Sequence, residues 1–136
     1  MRTQRAIVDY SMRRRALLAD VRAGRASLAD VCDAQTYLLR AAQYHGEPSS
    51  RPCPVCELPL TDVHFIYGEE LGRAAGQART LRELPVLAMT YSRFSVYVVE
   101  VCPACAWNHL RISYLLGREG LDAETGAESE GAVRQS

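Results

Sequence analysis

The stretch FSVYVVEVCPACAWNHL, residues 94–110, joins an apolar, strand-like segment to a C-P-x-C motif, and CPVC at residues 53–56 repeats that motif. Two residues between the cysteines let one tight turn direct both sulfurs at one metal ion, and the proline fixes φ for the turn. Two such turns complete a tetrahedral four-cysteine shell, the usual form of a structural Zn²⁺ site. The alternatives are two unrelated cysteine turns or a pair of disulfides. We predict that one Zn²⁺ is bound by four thiolates: Cys53, Cys56, Cys102 and Cys105.

A closed shell of this kind limits what the protein can do. It leaves no open coordination position, so the metal neither activates water nor polarises a substrate. The chain has no glycine-rich phosphate loop and no HExxH motif. His64 and His109 have no carboxylate or nucleophile at a spacing that would orient either one as a catalytic residue. The alternative is that one of them replaces a thiolate as a metal ligand. We therefore predict that the protein is not an enzyme and has no small-molecule substrate.

Composition and cysteine usage predict a cytoplasmic protein. The 136 residues suit one compact domain or two small modules that share a core. No apolar run approaches the roughly 18–20 residues of a membrane span, and no secretory signal is recognised. Thiolates held for zinc and an unpaired fifth cysteine indicate a reducing compartment. That cysteine, Cys32, lies in a helical pattern, where we expect a buried structural thiol rather than a reactive one.

The apolar pattern predicts an α+β fold in which an N-terminal helical, Arg-rich module packs on a four-cysteine zinc ribbon. The module spans residues 1–46, where apolar residues recur at helical spacing. Gly24 is placed to end the first helix, and Ser27 to cap the N-terminus of a short second one. A third helix is predicted over residues 35–45. This order fits a helix-turn-helix and equally any small helical cap.

The zinc-ribbon domain is predicted over residues 47–117, as a three-stranded antiparallel sheet. Its strands are placed near residues 61–67, 94–101 and 107–115, and the second strand is apolar on both faces, which indicates cover on each side. Residues 47–52 are interpreted as a polar linker. Residues 69–92 form a helical insertion that contains a capping-box pattern, Thr80 to Glu83. Residues 118–136 are predicted to be a disordered acidic tail.

The charges are unevenly distributed along a chain whose formal net charge is zero. Residues 1–51 carry nine arginines against five acidic residues, a net charge of +4, whereas residues 117–136 carry two against five, a net charge of −3. The basic segment is a candidate surface for phosphates, and Trp107 a candidate for stacking on a base or anchoring a partner. The alternatives are a solvated helix surface and a Trp107 packed over the zinc turn. The candidate contact residues are Arg2, Arg5, Arg13, Arg14, Arg15, Arg22, Arg25 and Trp107.

Over nearly all of residues 1–117 the chain resembles a family of small actinobacterial proteins of unknown function. The likeness rests on VDYSMRRRALLADVRAG, on LLRAAQYHGEP followed by PCPVC, and on FSVYVVEVCPACAWNHL. The resemblance implies a cytoplasmic protein of zinc-ribbon character. Residues 17–34, LLADVRAGRASLADVCDA, are also similar to the helical segment of actinobacterial integration host factor, a DNA-binding nucleoid protein.

Two functions from different classes are consistent with these patterns. The first is a zinc-binding regulatory protein associated with DNA or with the transcription machinery, such as RNA polymerase. The second is a protein-interaction scaffold that docks onto a larger assembly without contacting nucleic acid. Convergence of the arginines of residues 1–25 on one face favours the first function, whereas their pairing with Asp9, Asp20 and Asp30 favours the second.

Overall fold

The computed structural model describes residues 4–120 and confirms the α+β class, with helices packed on one antiparallel sheet. The strands are β1 (Arg5–Asp9), β2 (Glu47–Pro52), β3 (Pro59–Tyr67), β4 (Ala78–Arg79), β5 (Phe94–Val101) and β6 (Asn108–Leu116). The helices are α1 (Ser11–Arg22), α2 (Leu28–Val31), α3 (Thr36–His45) and α4 (Glu83–Thr90), and a 3₁₀ helix covers Glu69–Ala74.

The sheet has six strands in the described part of the chain, so the prediction of a three-stranded sheet is wrong in number. The strand order is β1-β6-β5-β3-β2, and β4 pairs with a further part of β3. The three predicted strands are β3, β5 and β6, which form the centre of the sheet. The three strands that were not predicted, β1, β2 and β4, are short or polar. Each pairs with a neighbouring strand, and the local sequence does not indicate that pairing.

Residues 5–9 form a strand, and the prediction of helix there is wrong. Ile7 and Val8 are β-branched, which suits extended backbone. The decisive influence is the open edge of β6, where Val8 pairs with Ser113. The carboxylate of Asp9 then accepts a 2.7 Å hydrogen bond from the N–H of Ser11, the first residue of α1. The N-terminal module is therefore part of the sheet as well as a cover for it.

Residues 47–52 also form a strand rather than a linker. Pro48 and Pro52 donate no hydrogen bond, but β2 is an edge strand, where proline is tolerated. Because β2 follows α3 directly, the residue between them, Gly46, lies very close to β3. A Cβ at this position would overlap the side chain of Thr61 and the carbonyl of Ala42.

Both faces of β5 are covered, as its apolar pattern predicts. On one face Phe94, Val96 and Val98 pack with Leu84 and Ala88 of α4. On the other face Val101 of β5, with Val63 and Phe65 of β3, packs against Ala41 and Ala42 of α3. The predicted packing of N-terminal helices against the sheet is therefore present, and α3 provides it on this face.

Several local signals have the predicted structures. Gly24 adopts φ +80° after α1, and the hydroxyl of Ser27 accepts from the N–H of Asp30, whose carboxylate accepts from Ser27 in return. In the insertion, the carboxylate of Glu83 accepts from the N–H of Thr80 at 2.8 Å, which is one half of the predicted capping box; α4 begins only at Glu83, so Thr80 is not its N-cap. These interactions are local in sequence, which is why a short pattern can predict them.

The prediction that the disordered tail starts at residue 118 places its start too early. The N–H groups of Arg118 and Glu119 donate to the carbonyls of Tyr91 and Ser92, at 2.8 and 3.0 Å, so these residues dock on the loop after α4. The rest of the predicted tail, residues 121–136, lies outside the described residues. Among residues 4–120, no helix combines the length and apolar character needed to cross a membrane.

Candidate metal centre

Two turns of the same geometry position the four cysteines. They run from Cys53 to Leu58, between β2 and β3, and from Cys102 to Trp107, between β5 and β6. In each turn the N–H of the first cysteine donates to the carbonyl of the residue five positions later, at 2.8 Å in both. The residue after the second cysteine, Glu57 or Ala106, donates back to the carbonyl of the first at 3.0 or 2.8 Å.

The shared geometry extends to the backbone of the residue that follows each C-P-x-C motif. Glu57 and Ala106 have φ values of 69° and 71°, in the left-handed region that favours glycine. Neither is glycine, so each turn holds a strained residue at the same place. The two turns are thus structural copies, and their sulfurs lie on the same side of each copy.

The two turns meet with their sulfurs facing one another. The Sγ atoms of Cys53 and Cys105 are 3.6 Å apart, and those of Cys56 and Cys102 are 3.4 Å apart. All four Sγ atoms lie within 4.8 Å of one another, and none is in a disulfide. A tetrahedral metal with bonds of about 2.3 Å holds its sulfurs about 3.8 Å apart. The cluster therefore has the dimensions of a four-thiolate metal site. The alternative prediction, a pair of disulfides, is wrong.

Burial opposes the formation of thiolates at two of the four cysteines when no metal is bound. Burial raises the pKa of the Cys102 and Cys105 thiols, because a buried thiolate loses its water. A backbone hydrogen bond from Leu58 lowers the pKa of Cys56. Four adjacent thiolates also repel one another. A metal ion reverses this balance, since coordination stabilises the deprotonated sulfur.

The fifth cysteine lies beside the cluster, which its sequence position did not reveal. Cys32 is the C-cap of α2 and is half-buried, with its Sγ 3.8 Å from the Sγ of Cys105. It does not belong to the group of four mutually close sulfurs. Its neighbours are the apolar side chains of α1 and α2 that cover the metal centre, including Leu17, Val21 and Val31. Cys32 thus packs as the predicted structural thiol, against one of the ligands.

A buried carboxylate links this centre to α1. Glu100 of β5 is fully buried, and its Oε2 accepts from Trp107 Nε1 at 2.8 Å and from Arg14 Nε at 2.7 Å. Arg51 NH2 lies 2.8 Å from Oε1, an ion pair without an aligned hydrogen bond. Burial by itself raises the pKa of Glu100, but the hydrogen bonds from Trp107 and Arg14 outweigh it and hold the pKa below its usual value. Glu100 is therefore ionised, and α1 is anchored to it.

The same arrangement changes the roles of two predicted contact residues. Trp107 has no exposed surface and packs with the cysteines. It therefore packs over the cysteine turn, and the prediction that it contacts a base or a partner at the surface is wrong. Arg14 turns inward, with its guanidinium 5.8 Å from the centre of the Trp107 ring. The sequence offers a signal for this only in retrospect: a glutamate at a core-facing strand position needs a cationic partner.

The remaining candidate arginines are dispersed. Arg2 lies outside the described residues, and Arg5 belongs to β1 rather than to a helix. Arg25 follows α1 and pairs with Asp20 at 2.9 Å. Arg13 lies over the ring of Tyr10, 5.5 Å from its centre.

Two exposed arginines, Arg15 and Arg22, share a face of α1 because they are seven residues apart. Arg13 lies about 200° around the helix from Arg15, at 100° per residue. Within the described residues, the arginines of the basic segment therefore do not converge on one surface.

The two histidines considered as replacement ligands, His64 and His109, lie outside the sulfur cluster. His64 of β3 is buried, its Nδ1 has no hydrogen-bond partner among the described residues, and burial lowers its pKa. His109 of β6 stacks on Trp107, with ring centres 6.0 Å apart. The group of potential ligands contains cysteines alone, so neither histidine replaces a thiolate in it.

These observations define a class: an α+β protein whose antiparallel sheet carries a four-cysteine cluster between two matched turns. The chain belongs to a family of unknown function, DUF5318, whose model matches residues 1–130. It is 54% identical over 111 residues to the uncharacterized proteins Rv0049 of Mycobacterium tuberculosis and Mb0050 of Mycobacterium bovis, covering 81% of this chain and 81% of each relative. No solved structure matches the chain. The predicted membership of an uncharacterised actinobacterial family is confirmed, and the likeness to integration host factor stays a prediction.

Proposed function

We propose that the protein is a cytoplasmic, zinc-binding regulatory protein that catalyses no reaction and acts by binding a macromolecular partner. The observation that carries this proposal is the convergence of four sulfurs from two matched turns. A donor set of four sulfurs without oxygen favours a soft or borderline metal, and Zn²⁺ is the usual occupant of such a shell. Four thiolates leave no position for water or substrate, so the metal serves the fold.

The location of the cluster explains what zinc does for the fold. It joins the turn between β2 and β3 to the turn between β5 and β6, and α1 and α2 cover it. Structural zinc in small domains supplies about 10–16 kcal/mol of folding free energy. We expect the protein to fold fully only with zinc bound.

Nucleic acid is the partner class that we propose first, either as DNA or within the transcription machinery. Arg13, Arg15 and Arg22 are exposed on α1, and the first turn of that helix contains no acidic residue. Exposed arginines near a helix surface are suited to phosphate contacts.

A scaffold that binds a protein partner is the second candidate, and a specific observation favours it. Arg14 and Arg25 pair with Glu100 and Asp20, so part of the basic segment is neutralised within the described chain. What is left on α1 is a small basic surface rather than a broad one. Such a surface also suits an acidic protein partner such as a subunit of RNA polymerase.

Affinity capture of the zinc-loaded full chain from native lysate, with and without nuclease, tests the proposal. Titration of labelled duplex DNA at two salt concentrations accompanies it. The nucleic-acid function predicts nuclease-sensitive capture and a log–log salt slope of about −0.9 per phosphate neutralised. Nuclease-resistant capture of a defined partner, with no duplex binding at low salt, favours the scaffold. Catalytic turnover of any substrate by the pure protein contradicts both the nucleic-acid function and the scaffold function.

A further inference from the structure

Two adjoining grooves share the side chain of Tyr37, at the junction of α3 and the sheet. The first has a volume of about 670 Å³ and lies on the sheet face beside α3, lined by Phe65, Tyr67 and Tyr97 among others. The second has a volume of about 360 Å³ and runs along α3 itself, past Tyr44. We call the surface formed by Tyr37, Arg40, Tyr44, Tyr67 and Tyr97 the tyrosine surface.

Three of the four rings of the tyrosine surface are exposed although they are large, and the fourth, Tyr97, is half-buried. Tyr37, Tyr44 and Tyr67 are 60%, 69% and 46% exposed. On α3, Tyr37, Arg40 and Tyr44 are spaced three and four residues apart, so all three lie on one outward face. Burial in the core therefore does not explain this stripe of aromatic residues.

Internal contacts hold these rings in place. The hydroxyl of Tyr37 donates to the carbonyl of Gly76 at 2.8 Å, and its ring centre lies 6.1 Å from that of Phe65. Tyr67 and Tyr97 pair edge to face at 5.3 Å. Fixed rings lose little conformational freedom when a planar ligand stacks on them, which favours binding.

The charged lining residues belong to the smaller groove: Arg40, His45 and Arg79, without an aspartate or glutamate among the described residues that line it. The larger groove is lined by uncharged residues, and Asp33 lies beside it, with its carboxylate accepting from Asn108 Nδ2 at 2.9 Å. Arg79 already pairs with Glu83. Arg40 lies between the two tyrosines of α3 and makes no ion pair within residues 4–120, so its charge is available to a ligand.

We propose that the tyrosine surface binds single-stranded nucleic acid, with bases stacked on the tyrosines and a phosphate held by Arg40. This inference rests on the proposed nucleic-acid function and places its contact on α3 and the sheet, away from α1. Aromatic rings along a cationic groove are suited to unpaired bases, whereas the bases of a duplex are already stacked on each other. A proline-rich peptide also packs on tyrosines, but it gains nothing from the exposed Arg40 that lies between the two tyrosines of α3.

Fluorescence anisotropy of the zinc-loaded full chain tests the inference. The probes are a labelled single strand of about 12 nucleotides, within the range of known single-strand sites, and a duplex of the same length. We expect the single strand to bind at least about tenfold more tightly than the duplex, since only unpaired bases stack. Tyr44→Ala should weaken single-strand binding by about tenfold, and Tyr44→Phe, which keeps the ring, should retain it. Arg40→Gln should reduce the salt slope by about 0.7, the change for one phosphate of a single strand.

Matched controls lie on the other parts of the surface. Met89→Ala removes a side chain that is 69% exposed on α4, and Arg73→Gln removes an exposed charge outside both grooves. Neither should change single-strand binding. Tyr44 and Arg40 are exposed on a helix, so their variants should fold like the parent protein.

Three outcomes overturn the inference. Preferential duplex binding that Tyr44→Ala leaves unchanged refutes it while the proposed nucleic-acid function stands. Absence of any nucleic-acid binding, with specific capture of a proline-rich peptide, refutes both and assigns the surface to a protein partner. Equal losses in Tyr44→Ala, Tyr44→Phe and the Met89→Ala control show that the tyrosine surface is not the contact.

Discussion

Trp107 donates its indole N–H to the carboxylate of Glu100 at 2.8 Å, and both side chains are fully buried. This bond joins the second cysteine turn, which ends at Trp107, to the strand that leads into it. Arg14 donates to the same carboxylate oxygen from α1. One ionised side chain therefore connects the helix, the sheet and the metal centre, and it is the reason why α1 covers the cysteines.

The first prediction is that Arg14→Met destabilises the folded protein by about 2 kcal/mol, since it leaves the buried charge of Glu100 with fewer partners. The methionine retains an apolar stem, so the loss reflects charge rather than packing. Arg15→Met, at the next and exposed position, is the matched control and should change stability by less than about 0.5 kcal/mol. Urea unfolding in the presence of zinc measures both. Equal effects of the two substitutions would refute the role assigned to Arg14.

The second prediction concerns the strained residue of each cysteine turn. Ala106 has φ 71°, a conformation that glycine adopts without strain, so Ala106→Gly should stabilise the zinc-bound protein by about 1 kcal/mol. Ala106→Val should destabilise it by more than that, because a β-branched residue is least tolerant of positive φ. Ala104→Gly, in the same turn, is the control and should bring no gain. Thermal unfolding midpoints compare the series, and a gain from Ala104→Gly as large as that from Ala106→Gly speaks against strain at Ala106.

The third prediction is a pH dependence that belongs to His64. Burial lowers its pKa below the usual 6.5 in the folded protein, whereas the unfolded chain has the usual value. The unfolded state therefore binds the proton more readily, so stability is complete above about pH 6.5 and decreases as the pH falls below it. His64→Gln should reduce this decrease, and His45→Gln, at an exposed position of α3, should not. Urea midpoints at pH 7.5 and 5.5, taken as differences from the parent at the same zinc concentration, test it; identical pH profiles for both variants would contradict it.

Features that depend on local chemistry were predictable from the sequence. The doubled C-P-x-C motif predicted which four sulfurs converge, because each pair is set by one turn. The three central strands, the Ser27 cap and the end of α1 at Gly24 also follow from short patterns. Apart from the meeting of the two cysteine turns, each of these needs only residues that are neighbours along the chain.

Features that depend on distant partners were not predictable. Residues 5–9 are extended because β6 has an open edge, and residues 47–52 because β3 has one. Arg14 is an anchor rather than a surface charge because it donates to the buried carboxylate of Glu100, which is distant in sequence. The exposure of the tyrosines on α3 depends on how that helix packs, and only its placement on the sheet reveals it.

Zinc content of the purified full chain is the most direct test of the account, since the proposed function rests on the four-cysteine centre. Elemental analysis of protein prepared under reducing conditions should give one zinc per chain. Cys105→Ser should lose both the metal and cooperative unfolding, because the site supports the fold. Cys32→Ser, whose sulfur lies 3.8 Å from that of Cys105 but outside the cluster, should keep the metal. Parent protein without stoichiometric zinc, or a loss of metal in Cys32→Ser equal to that in Cys105→Ser, would contradict the assignment of the centre.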